Sequence, residues 1–210
     1  MTFFRIQLRC CVDLNSADQG MTDTLQRFIF QNTNIRGKII RLDKTLKTIL
    51  EQTDYPFEIS ELLSQTLCAA ALLSASLKYQ GQLTVQFQGE GSLKMLVAKC
   101  NNEYHLRGTA RWDEECLPGN LKTDFERGQL VISVQNQKSN TRYQSIVSID
   151  NQSVSKALEG YFLQSEQLET RFWLAYDKDS QEAVGLLLQR MPDENTTNAL
   201  YEEEKNQWQH

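Results

Sequence analysis

The feature that most constrains this chain is a predicted helix, from Ser60 to about Tyr79, with apolar or small side chains around most of its circumference. A helix without a polar face must be buried on several sides, so we expect it at the centre of the fold. Ser60 is its predicted N-cap, and Gly81 is its predicted C-terminal stop. The small side chains of Ala70 and Ala71 would let another element approach closely.

The apolar period changes after Gly81 from helical spacing to the alternation of a strand. Residues 83–87 alternate between apolar and polar side chains, and two further strands are expected at 93–99 and 104–111. Short turns separate the three segments. The pattern predicts a three-stranded antiparallel meander.

Two short helices are predicted before the central one. The first would begin near Met21 and bury Leu25, Phe28 and Ile29 on one face. The second covers residues 43–51, where apolar residues recur at helical spacing.

After the meander along the chain, the sequence predicts a hairpin, a helix and a second hairpin. The first hairpin pairs the strand at 130–134 with that at 143–149, and the second pairs 170–176 with 183–191. Between them, Ser153 is the predicted N-cap of the clearest amphipathic helix in the chain.

This order of elements lacks the regular βαβ alternation of a parallel sheet. We therefore predict an α+β fold in which a mainly antiparallel sheet packs with a central buried helix and peripheral helices. We assign residues 21–192 to one domain. Residues 1–20 are an N-terminal extension, either a native strand or an upstream start, and the polar, acidic residues 193–210 begin a linker.

Composition excludes several classes of protein. No run approaches the ~18 uninterrupted apolar residues of a membrane span, so we expect no membrane partner. With 22 basic and 27 acidic residues, the net charge of −5 gives no reason to expect nucleic acid. The five cysteines form no C-x-C or C-x-x-C pair, which indicates neither a disulfide framework nor a zinc site. Free thiols without a secretory signal predict a cytoplasmic protein.

The sequence offers little for catalysis. Its two histidines are His105, in a predicted strand, and His210, and neither has an identifiable partner. The glycine-rich turn at 89–91 joins two strands and carries Glu90, which disfavours a phosphate loop. We therefore expect no enzyme, no catalytic residue, and no cofactor or metal in this chain.

Four segments together resemble one known family. They read AAALLSASLKYQGQLTVQFQGEG at 69–91, RGTAR at 107–111, GYFLQSEQLETR at 160–171 and LLLQRMP at 186–192. In this order they are similar to the heat-shock protein 33 family of redox-regulated chaperones. Residues 21–192 resemble the amino-terminal, substrate-binding domain of that family.

The resemblance implies a holdase chaperone that works without ATP and prevents the aggregation of unfolding proteins under oxidative or heat stress. Its partners would be unfolded or partly folded client proteins, and whether it forms the family's homodimer stays open. In that family, a linker leads to a zinc site of four cysteines marked by C-x-C and C-x-x-C. Residues 1–210 contain neither motif, so we expect zinc and the redox switch only in a longer family member.

The last hairpin is the predicted client-binding surface, because apolar side chains occupy both of its faces. The candidate residues are Phe172, Trp173, Leu174, Leu186, Leu187 and Leu188. Leu200, Tyr201 and Trp208 are the predicted anchors of the linker on that surface. The alternatives are that further layers bury both faces of the hairpin, and that the three anchors only end an amphipathic helix.

Two other functions remain open from the sequence. One is a small-molecule enzyme with an unrecognised site, which predicts a deep pocket with converging polar groups. A carboxylate beside His105 would favour it. The other is a structural module that associates with copies of itself, which predicts a concentration-dependent mass.

Overall fold

The computed structural model describes residues 7–9, 23–76, 81–115, 120–136, 142–149 and 153–192. Their strands form two five-stranded antiparallel sheets. The first sheet contains, in spatial order, β1 (Gln7–Arg9), β2 (Thr24–Ile29), β3 (Ile35–Leu42), β10 (Glu182–Arg190) and β9 (Thr170–Asp177). The second contains β6 (Leu106–Trp112), β5 (Leu93–Asn101), β4 (Gly81–Gln88), β7 (Gln129–Asn136) and β8 (Arg142–Ser148).

One long helix and shorter helical segments complete the described fold. They are α1 (Lys44–Leu50), α2 (Phe57–Ser76), α3 (Asn120–Glu126), α4 (Val154–Tyr161) and a π-helical turn (Phe162–Glu166) that follows α4 directly. The predicted α+β class is confirmed.

Helix α2 lies between the two sheets. Every residue from Leu62 to Ser74 except Gln65 is buried, as its lack of a polar face predicts. By length and composition α2 could span a membrane, but 78% of its apolar window is buried inside the fold. Its hydrophobicity is therefore accounted for by its position in the core.

Two glycines let α2 approach the sheets. A Cβ on Gly108, in β6, would lie 3.1 Å from side-chain carbons of both Leu63 and Leu67. A Cβ on Gly185, in β10, would lie 2.9 Å from Leu72 and 3.2 Å from Cys68. A larger side chain at either position would collide with α2, so glycine allows the helix to pack closely against the strand.

The helix predicted from Met21 is wrong, because Thr24–Ile29 is strand β2. Apolar residues that are spaced for a helix face also suit a strand with two apolar faces. Pairing with β3 makes this segment a strand, in which Leu25 lies opposite Ile40. Strand β3 itself was not predicted. Met21 lies outside the described residues, so the domain boundary there stays a prediction.

Helix α2 begins at Phe57, three residues before the predicted cap. Ser60 is buried within the first turn, and its amide donates to the carbonyl of Pro56 at 2.9 Å. Proline suits the start of a helix because its missing N–H has no intrahelical partner there. The predicted C-terminal end near Tyr79 falls on residues 77–80, outside the described part.

The remaining elements agree with the predictions in type and approximate position. The side chain of Ser153 caps α4 by accepting a hydrogen bond from the amide of Lys156 at 3.3 Å. Strand β4 pairs with β7 as well as with β5, so the meander and the first hairpin form one sheet. Helix α3 was not predicted.

The contact of α2 with β10 predicts the effect of Gly185→Ala. Its methyl group would press on Leu72, Ile40 and Cys68, so the free energy of unfolding should fall by roughly 1–3 kcal/mol. Urea unfolding measures the difference.

Gly160→Ala is the matched control for Gly185→Ala. A Cβ at Gly160, within α4, meets nothing within 4 Å, and alanine favours a helix over glycine by about 0.5–1 kcal/mol. We expect this variant to be as stable as the parent or more stable. Equal stability of both variants would contradict the close contact.

Candidate functional site

The face of the first sheet that points away from α2 is apolar at its centre. Side chains directly opposite on neighbouring strands share a face, and the register places Ile39, Leu186 and Trp173 in one row across β3, β10 and β9. Ile39 is 36% exposed and Trp173 is 51% exposed. Large apolar side chains thus meet solvent in the middle of a sheet.

The rows on both sides extend this surface. Leu188 lies opposite Gly37, over which the ring of Phe28 packs in place of a side chain. On the other side, Val184 is exposed and pairs with Ala175. We name this surface the outer apolar face and define it by Phe28, Ile39, Trp173, Val184, Leu186 and Leu188.

The second sheet shows that an exposed apolar face is not a general property of this fold. Its outward positions include Thr84, Lys99 and Arg107, which share a row across β4, β5 and β6. In the next row, Gln86 and Thr109 lie on either side of Val97, and Ile146 is exposed where that row reaches the edge strand β8. Because contiguous exposed apolar surface marks interaction sites, the first sheet is the candidate interface.

The structure divides the six predicted client-binding residues between the two faces. Trp173, Leu186 and Leu188 belong to the outer apolar face. The other three point inward because strand side chains alternate: Phe172 and Leu187 are buried in the core, and Leu174 packs half-buried against it. The prediction that Phe172, Leu174 and Leu187 lie on the surface is therefore corrected.

The alternative that further layers bury both faces holds for the inner face alone, within the part of the chain described. The predicted linker anchors Leu200, Tyr201 and Trp208 lie outside the described residues.

The sequence analysis did not identify Phe28, Ile39 and Val184 as members of this surface. The adjacent pair Ile39-Ile40 was an available signal, since neighbouring apolar residues in a strand put apolar groups on both faces.

A cleft of about 760 Å³ lies between α4 and the edge strand β9. Its lining includes Ser155 of α4 as well as Trp173 and Leu186, so it opens onto the outer apolar face. Glu159 holds one end: its carboxylate accepts a hydrogen bond from the amide of Phe172 at 3.0 Å. The same carboxylate forms ion pairs with Lys156 and Arg171.

Beneath the first sheet, Lys38 has a buried amine. It is 5% exposed, and its Nζ donates to the hydroxyl of Ser76 at 2.8 Å. Burial, and to a lesser extent the charges of Arg36 and Arg27, lowers the pKa of Lys38 from 10.5 to about 7. The uncharged form therefore fits this position best.

The two described thiols are buried. Burial raises the pKa of Cys68 well above its usual range, with a smaller contribution from Asp23, and raises the pKa of Cys100 to about 11. The thiolate is the reactive form of cysteine, so both act as small apolar side chains, as predicted for Cys68. Cys10, Cys11 and Cys116 lie outside the described residues.

His105 does have a carboxylate neighbour. Its Nδ1 lies 3.4 Å from Glu103 Oε2, but the two side chains are 75% and 69% exposed. Solvent screens such a pair, which lacks the enclosed surroundings of a catalytic dyad. The glycine-rich turn is no phosphate loop either, because the carboxylate of Asp124 accepts the amide of Leu93 at 3.3 Å.

The described residues also do not fit a four-cysteine zinc site. No group of three or more His, Cys, Asp or Glu side chains converges among them, and both described thiols are buried in the core. A structural zinc site needs four converging ligands, commonly thiolates.

Comparison with known proteins places these features in a family. The family model described as Hsp33 protein matches residues 23–209. A 33 kDa chaperonin of Nitrosococcus oceani is 42% identical over 82% of this chain and 58% of its own length. One from Shewanella sediminis is 40% identical over 86% of this chain and 62% of its own. The chain thus spans about six tenths of these curated relatives.

A solved structure agrees with the fold. The crystal structure of a 33 kDa chaperonin (heat shock protein 33 homolog) from Thermotoga maritima superposes with a TM-score of 0.64, over 82% of this chain and 62% of that one. At 23% sequence identity, this likeness supports the fold alone.

Burial of the thiols predicts slow chemical modification. In the native protein, Cys68 and Cys100 should react with iodoacetamide at least about 100-fold more slowly than in urea-unfolded protein. Peptide mass mapping resolves the two sites from the other cysteines. Equal rates in native and unfolded protein would contradict the buried positions.

The buried amine predicts a pH-dependent effect of Lys38→Met. The unfolded chain keeps this proton up to about pH 10.5 but the native state releases it near pH 7, so the group's contribution to stability rises with pH between them. The charged amine costs most below pH 7. Lys38→Met should therefore raise the free energy of unfolding more at about pH 6 than at about pH 9.5.

Lys99→Met is the control for Lys38→Met, because Lys99 is exposed on the polar face of the second sheet. Its effect should change little over the same pH range. A Lys38→Met effect that is also constant with pH would show that the amine is not desolvated.

Proposed function

The chain belongs to the Hsp33 protein family, and on this premise we propose that it is a chaperone domain that holds unfolding proteins without ATP or any catalytic step. The observation that carries the proposal is the outer apolar face, exposed at the centre of the first sheet. Unfolding proteins expose apolar segments that this face would cover. Client and chaperone would thereby remove apolar surface from water.

Apolar contact of this kind suits temporary holding. A patch of about 400 Å² contributes roughly 10 kcal/mol at ~25 cal/mol per Å², before the costs of association and ordering, which are of similar size. Binding would therefore be reversible, and a client would be released when it can refold. Neither step requires a nucleotide.

We further propose that the linker regulates access to the face. The chain leaves β10 at Met191, whose amide donates to the carbonyl of Asn34 at 2.7 Å. From there, residues 193–210 carry Leu200, Tyr201 and Trp208, which would cover the outer apolar face until a stress signal releases them.

A redox signal would have to act on other cysteines than those described. Cys68 and Cys100 are too buried to serve as a switch, so the sensing thiols, and any zinc that they bind, would belong to other parts of the full protein. In a cytoplasmic chaperone, oxidation would release zinc and the linker together. Client binding at this face does not require a homodimer.

The test is a double variant, Trp173→Ser with Leu186→Ser, in a client-aggregation assay. Both side chains belong to the exposed row of the outer apolar face, so suppression should fall several-fold while the stability changes little, as expected for surface substitutions. Light scattering of a thermally unfolding client measures suppression.

The matched control is Tyr143→Ser with Ile146→Ser. These side chains are 69% and 62% exposed on opposite faces of β8, an edge strand of the second sheet, so the control removes one aromatic and one aliphatic group that lie outside the outer apolar face. It should suppress aggregation like the parent. If the folded Trp173/Leu186 variant also does so, the outer apolar face is not the binding surface. Leu187→Ser is unsuitable because Leu187 is buried in the core.

A further inference from the structure

Strand β9 is an edge of the first sheet, since β10 is its only neighbour among the described strands. Its free side borders the cleft between β9 and α4. An edge strand carries backbone groups that can pair with another extended chain. The groups of β9 that could form such bonds are those that point into the cleft.

The hydrogen bond of the Phe172 amide identifies these groups. This amide donates to Glu159 on α4, so the backbone of Phe172 points away from β10. In an antiparallel pair, residues alternate between those that bond to the partner strand and those that do not. Leu174 and Tyr176 therefore also direct their N–H and C=O groups away from β10. No hydrogen bond from the described residues reaches these groups.

Glu159 marks the position where a strand-like partner would bond to this edge. Its carboxylate occupies the place where the carbonyl of an added strand would accept the amide of Phe172, and Arg171 and Lys156 hold it there. Glu159 covers the start of the edge. The next two outward positions, Leu174 and Tyr176, remain available.

The cleft is continuous with the outer apolar face. Trp173, Val184 and Leu186 line both, so a strand added beside β9 would place alternate side chains next to Trp173. Its other side chains would point toward the inner side of the sheet, along α4. An extended segment with alternating apolar residues fits this arrangement.

We propose that an extended segment of an unfolded client adds to β9 as a further strand, bonding to the backbone of Leu174 and Tyr176 while its apolar side chains cover Trp173. This inference rests on the proposed chaperone function and names how the client is held. Backbone pairing does not depend on client sequence, so it allows one site to hold many clients. Most strands of folded proteins are already paired and their edges are protected against further pairing, so unfolded segments are the favoured partners.

The test uses two short, acetylated and amidated peptides in which valine alternates with threonine between terminal lysines. In the second peptide every internal amide nitrogen is methylated, which removes its donors while keeping its side chains. The first should bind at least about tenfold more tightly, as measured by fluorescence anisotropy of labelled peptides. It should also slow amide exchange at Leu174 and Tyr176 about tenfold, measured by NMR.

A variant of the chain provides a second measurement. Ser155 lines the cleft, so Ser155→Arg should fill it and weaken the first peptide about tenfold while leaving the outer apolar face unchanged. Ser165→Arg is its control, because Ser165 is exposed on the π-helical turn and does not line the cleft. This control should bind the peptide like the parent.

The outcomes separate this inference from the proposed function. If the parent suppresses client aggregation but binds both peptides equally, without protection of Leu174 and Tyr176, strand addition is overturned and the chaperone function stands. If protection appears without peptide and grows with protein concentration, the edge pairs with a second copy, which also overturns the inference. Failure to suppress aggregation at all would overturn the proposed function itself.

Discussion

The burial of α2 between two sheets is the constraint on which the rest of the structure depends. The helix has no polar face, so both sheets must cover it, and Gly108 and Gly185 allow its side chains to reach them. This contact uses the inner apolar side chains of both sheets, including Phe172 and Leu187. Each sheet is left with one outer face, and the composition of that face decides what the surface can do.

The two outer faces differ in composition. At its centre the second sheet presents threonine, glutamine, lysine and arginine, and Ile146 is exposed only at its β8 edge, whereas the first presents Ile39, Leu186 and Trp173 in one row. Keeping an apolar row exposed has no benefit for folding, because burying it would add stability. This exposed row is the surface to which we assign client binding. The free edge of β9 lies beside the same row, so side-chain and backbone recognition are available at one place.

The reactive groups of the interior are kept unreactive by the same burial. Cys68 packs where α2 meets Gly185, and Cys100 lies on the opposite sheet. Both remain protonated because a thiolate would be desolvated there. Burial disfavours the charged form of the Lys38 amine for the same reason and lowers its pKa to about 7. The two buried thiols cannot react without local unfolding, which separates the stable scaffold from any regulatory thiols.

Local pattern sufficed for elements whose period is unambiguous. Helices α2 and α4 and the strand pairs β4–β5 and β9–β10 follow from residue spacing, turn residues and the cap at Ser153. Spacing failed at β2, where Leu25, Phe28 and Ile29 suit a helix or a strand, and it gave no sign of β3. The two strands form a hairpin within residues 24–42, so the register of their pairing, which periodicity within one segment does not show, decided the type of element.

The sequence by itself determined that a buried helix joins antiparallel strands and that both faces of the last hairpin are apolar. Only the tertiary structure decided which face is which. Strand alternation places Phe172 and Leu187 on one face and Trp173 and Leu186 on the other whatever the fold, but the side that α2 covers depends on the packing at Gly185. The tertiary fold also brought Ile39 beside Leu186, across a separation in the chain that local periodicity does not bridge.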